Sequence, residues 1–79
     1  MNPVRCDGPR GELAYLRRLR CADGAAPSFW RLGNVGPGVH GNVVDEYAVE
    51  CRGVQQSVFL DMYFRGHVER KAVAPFHLK

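Results

Sequence analysis

Glu46 and Asp61 are the residues whose types and spacing come closest to chemistry. If residues 42–52 and 57–65 pair as a hairpin, the two carboxylates stand opposite each other on one sheet face, where like charges repel. Such a pair calls for a cation, a shared proton or separation by twist. Phe59 and Tyr63 would wall the same spot, and Val44 and Ala48 would complete the patch. Aromatic rings beside carboxylates suit a cationic small molecule, or an arginine supplied by a partner protein. Arg31 or Arg65 of the chain itself would serve as well and leave the pair structural. The candidate binding set is therefore Val44, Glu46, Ala48, Phe59, Asp61 and Tyr63.

Other chemistries find less support. Cys6, Cys21, Cys51, His40, His67 and His77 could in number hold zinc, but no spacing is C-x-x-C or H-x-x-x-H, so neither a metal nor another cofactor is expected. Gly36 to Gly41 matches G-x-G-x-x-G in form only. That motif works between a strand and a helix whose N-terminus takes a pyrophosphate, whereas here a strand follows and Pro37 removes an amide donor. Ser28 and Ser57 are the only serines, and neither sits on a sharp nucleophile turn. Acid–base hydrolysis by Glu46, Asp61 and His67 would need a deep pocket that a three-stranded sheet rarely encloses. The chain reads as non-enzymatic.

The elements that must position the candidate face can be read from periodicity. Leu13, Tyr15, Leu16 and Leu19 recur at helical spacing behind Pro9-Arg10-Gly11-Glu12, with Glu12 as a first-turn carboxylate, which predicts a helix over about residues 10–21. Gly24 and Pro27 end it. A first strand is expected over 28–34, followed by a mobile glycine-rich loop over 33–41. From Asn42 to Arg52 the chain alternates, with Val43, Asp45, Tyr47, Val49 and Cys51 on one side. Gly53-Val54 suits a type II′ turn, which pairs Arg52 with Gln55. Val49 then faces Val58, Tyr47 faces Leu60 and Asp45 faces Met62, while Glu46 faces Asp61 and Ala48 faces Phe59. A one-residue slip would break this match.

The order helix, strand, strand, strand predicts an α+β fold, with one N-terminal helix packed on a three-stranded antiparallel meander. The chain of 79 residues has room for one domain, 1–79, with residues 1–9 as an N-terminal arm and 66–79 as an extended C-terminal tail. One helix cannot cover both sheet faces. The patch of Val44, Ala48, Phe59 and Tyr63 must be covered by the segment Val73 to Phe76 or by another subunit.

The leading expectation is a small interaction protein that self-associates as a homo-oligomer through the aromatic and acidic sheet face. Three cysteines, an odd number, and no apolar stretch in residues 1–11 suggest reduced thiols and a cytoplasmic setting. No stretch approaches the ~20 apolar residues that span a bilayer. The formal charge of +3, with Arg10, Arg17 and Arg18 on the helix and Arg70, Lys71 and Lys79 on the tail, makes nucleic acid the second choice of partner. In that reading the chain is a basic RNA-binding protein or a small endoribonuclease toxin with His40 or His67 as acid–base. A carrier for a cationic small molecule at Glu46 and Asp61 is the third.

Overall fold

The alternating stretch beginning at Val43 becomes the central hairpin of the structure. A computed structural model describes residues 3–79. In chain order the elements are β1 (Val4–Arg5), α1 (Gly8–Arg18), β2 (Leu19–Arg20), β3 (Ser28–Pro37), β4 (Val43–Cys51), β5 (Val54–Asp61) and β6 (His77–Leu78). The α+β class is as expected, but the meander is not the whole sheet. Four strands lie in the order β1-β5-β4-β3, and β2 and β6 form a separate antiparallel pair.

The fourth strand comes from the residues expected to be a loose arm. Val4 and Arg5 pair in parallel with Leu60 and Asp61. The chain continues the ladder, with the Cys6 N–H on the Asp61 carbonyl at 2.8 Å and the Gly8 N–H on the Met62 carbonyl at 2.7 Å. These bonds occupy the outer edge of β5, which would otherwise present unpaired backbone. Helix α1 therefore starts two residues before the expected position, with Pro9 in its first turn, where the missing N–H costs nothing.

The hairpin register differs from the predicted one by two residues. Tyr47 faces Val58, Asp45 faces Leu60 and Val49 faces Gln56. The turn is Arg52-Gly53, and both residues have positive φ, 51° and 79°, as a type I′ turn requires. The type I′ twist matches that of the strands, so it displaces the expected Gly53-Val54 turn. Because the shift is even, every side chain keeps its face. Gly53→Ala should cost about 1 kcal/mol, the penalty of a Cβ in left-handed backbone, seen as a lower urea midpoint at unchanged slope.

Strand β3 also runs further than expected, through Gly33, Gly36 and Pro37. It tolerates them because it is an edge strand, and it breaks register between Arg31 and Gly33 and again between Asn34 and Pro37. The glycine-rich segment is thus largely strand rather than mobile loop.

Leu16 and Leu19 pack against Tyr47, Val49, Val58 and Leu60, together with Val4, Cys6, Tyr15 and Phe76. Fully burying each leucine contributes about 2 kcal/mol. The C-terminal tail belongs to this side of the sheet. Phe76 is buried in the core, Val73 and Leu78 pack on it, and β6 pairs with β2.

Cys21 is disulfide-bonded to Cys51, and Cys6 is a buried free thiol. This corrects the expectation of reduced cysteines. Cys21 directly follows the two-residue β2 and meets Cys51 at the end of β4, a proximity that 30 residues of separation conceal. Disulfides persist mainly in oxidising compartments, so the thiol argument for a cytoplasmic setting no longer holds. Among the described residues, no helix is long and apolar enough to cross a membrane.

Candidate functional site

The sheet face away from α1 is built from alternate residues of three strands. Trp30 of β3 lies opposite Ala48 of β4, Ala48 lies opposite Ser57 of β5, and Glu46 lies opposite Phe59. Ala48 is fully covered and Val44 is buried, whereas Trp30 is 41% exposed, Phe59 half-buried and Tyr63 exposed. The tail that was a candidate cover for this face is packed on the other side. What does cross it is the strand-to-loop segment before Asn42. Gly38 lies so close to Val44 that a Cβ there would sit 2.6 Å from the Val44 Cγ2, so only glycine fits without displacement. A shallow apolar groove of about 380 Å³ remains, bounded by Pro3, Val35, Pro37, Val39, Val44 and Phe59.

The expected opposition of Glu46 and Asp61 does not form. The two-residue shift places Phe59 across from Glu46, and Glu46 Oε2 instead accepts a hydrogen bond from the Ser57 hydroxyl at 2.6 Å. Asp61 ends β5, fully buried. Its carboxylate accepts the Asn42 amide on both oxygens at 3.2 Å and the Tyr63 N–H at 3.1 Å. Tyr63 lies beyond the strand, bridged to Asp7. Of the six candidate residues, Val44, Glu46, Ala48 and Phe59 share the face, whereas Asp61 and Tyr63 occupy its end. A cation site needing both carboxylates has no support in this register. Arg31 neutralises neither of them.

Arg31 serves a different carboxylate, and the most unusual polar group in the molecule lies there. Its Nη2 donates to Asp45 Oδ1 at 3.0 Å. Asp45, 4% exposed, neighbours Glu12, 2% exposed, whose Oε2 has no partner. Burial first, then the hydrogen bond and charge of Asp45, push the Glu12 carboxyl up to about 8, against the opposing charge of Arg31. Burial and the neighbouring Asp45 thus favour the protonated form of Glu12 in the fold. Neither group is open to a substrate. Their geometry joins α1 to β4.

Sequence reasoning places Glu12 in the first turn, near the helix dipole, and does not bring it to Asp45. The signal was present: Glu12 stands at i, with Tyr15, Leu16 and Leu19 at i+3, i+4 and i+7, so an acid occupies the apolar stripe. Leu13, expected on that stripe, is only half-buried.

The same negative surroundings disable Cys6. Burial, then Glu12, Glu69 and Asp61, push its thiol up to about 12, so it carries almost no thiolate at neutral pH and is a poor nucleophile. Of the two histidines weighed as acid–bases, His40 is exposed and set edge-on to Phe64, and His67 lies 3.5 Å from Glu69. No family model, curated protein or solved structure matches this chain.

Proposed function

We propose that this chain is a binding protein rather than an enzyme, and that it self-associates through the β3 edge and the adjoining sheet face. The observation that carries the reading is where the tail goes: with Phe76 and Val73 packed in the helix-side core, Trp30 and Leu32 stay 41% and 49% exposed on a ten-residue edge strand. The stretch Ser28–Arg31, before the first register break, is the unbroken part of that edge and can template another strand. Antiparallel pairing of β3 with β3 of a second copy joins two sheets side by side and makes the two Trp30 patches continuous. Face-to-face stacking is disfavoured, because it would oppose Glu46 and Glu50 of one copy to the same acids of the other.

Solution mass is the direct test. The chain should sediment as a dimer at roughly 100 µM, and Trp30→Asp should return it to monomers with unchanged far-UV circular dichroism. Leu32→Lys, which places a charge on the edge itself, should do the same. A monomeric parent protein, or a mass that neither variant alters, overturns the reading.

Nucleic acid remains the weaker choice. Arg18 lies over the Tyr15 ring at 5.9 Å and Arg20 donates to the carbonyls of Arg17 and Leu19, so two of the helix-end arginines have intramolecular roles.

A further inference from the structure

A second cleft lies on the opposite side of the molecule from the Trp30 edge strand in sheet order, beside β1. It has a volume of about 470 Å³ and is lined by residues from four separate parts of the chain. Val4 and Arg5 come from β1, Tyr15 from α1, His40 from the loop before β4, and Glu69, Lys71 and Val73 from the tail. That volume falls within the range of small-molecule sites.

Its walls are fixed by specific contacts. The Tyr15 hydroxyl donates to the Lys71 carbonyl at 2.9 Å and accepts the Val73 N–H at 3.0 Å, which clamps the tail against the helix. On the other side, one ring anchors two basic groups. The Arg5 guanidinium sits 5.8 Å from the centroid of Phe64, and His40 meets the same ring edge-on at 5.0 Å. The one acid of the lining, Glu69, accepts the Arg70 N–H at 3.2 Å and lies 3.5 Å from His67 Nε2, which has no hydrogen-bond partner. Arg5 and Lys71 thus outnumber it, beside apolar surface from Val4 and Val73.

We propose that this cleft binds a small organic anion, with a carboxylate or phosphate head at Arg5 and Lys71 and an apolar body against Val4 and Val73. Arginine provides a planar fork for two oxygens of such a head, and lysine adds a point charge. The apolar wall selects a ligand with a hydrocarbon part over an inorganic ion.

The test is a titration of the isotope-labelled full chain, followed by amide shifts, with phenyl phosphate, benzoate and benzyl alcohol, which share one ring and differ in head. At least one of the two anions should saturate shifts at Arg5, His40 and residues 71–73, with a dissociation constant of about 1 mM. Which anion does so identifies the head. Benzyl alcohol should bind about tenfold more weakly. Arg5→Gln and Lys71→Gln alter exposed side chains, and each should weaken the anion roughly three- to tenfold while the other amide shifts stay in place. Equal binding of the neutral alcohol, shifts scattered outside the cleft, no saturable shifts with either anion, or full affinity in both variants overturns the proposal.

Discussion

Glu12→Gln should make the protein more stable at neutral pH, by about 3 kcal/mol at pH 7. The Glu12 carboxyl is pushed from 4.5 up to about 8 in the fold, and each unit of displacement corresponds to about 1.4 kcal/mol. The sign follows from which state holds the proton. A raised pKa means that the folded chain binds the proton more tightly than the unfolded chain. Its contribution is complete below pH 4.5 and is lost progressively as pH rises to about 8. The melting temperature of the parent protein should therefore fall steadily as pH rises between these limits. In Glu12→Gln the slope should largely disappear, because the amide is neutral throughout. The groups facing Glu12 do not reverse this: Asp45 and Asp61 favour the proton, and Arg31 opposes it. A variant with the parent's pH slope would show that the pair is not protonated in the fold.

The second large effect concerns the covalent link. Cys21→Ser combined with Cys51→Ser should cost about 3–4 kcal/mol, the loop-closure entropy of a cross-link across 30 residues. For a small domain this is a large part of the total stability. The expected result is a chain partly or wholly unfolded at 37 °C by circular dichroism, and the parent protein should behave likewise in excess dithiothreitol. Cys6→Ser should not reproduce this, since Cys6 is a free thiol. If the double variant melts with the parent, the link contributes nothing to folding.

Much of the hairpin was legible in the alternation alone. Tyr47, Val49, Val58 and Leu60 were assigned to the helix side, and all four are in the core. Ala48 and Phe59 were assigned to the other face, and the parity holds there too. The register was not legible, because a type II′ turn at Gly53-Val54 and a type I′ turn at Arg52-Gly53 keep the same parity. Pattern matching cannot separate two registers that differ by two. Glu46 and Asp61 were brought together only by the unrealised one.

What the sequence determined by itself is therefore the local content: a helix after Pro9, two alternating strands around a glycine turn, and which side of each strand is apolar. These follow from periods of 3.6 and 2 residues, which nearest neighbours along the chain establish. Tertiary structure alone decided the rest. Val4 and Arg5 became a strand because β5 had an open edge, Cys21 met Cys51 because the residue after β2 lies at the end of β4, and Phe76 chose the helix side because apolar surface was open there. The consequence for the site is twofold. The face with Trp30 was left uncovered, and Glu12 of the helix was buried beside Asp45 of β4, far from it in sequence.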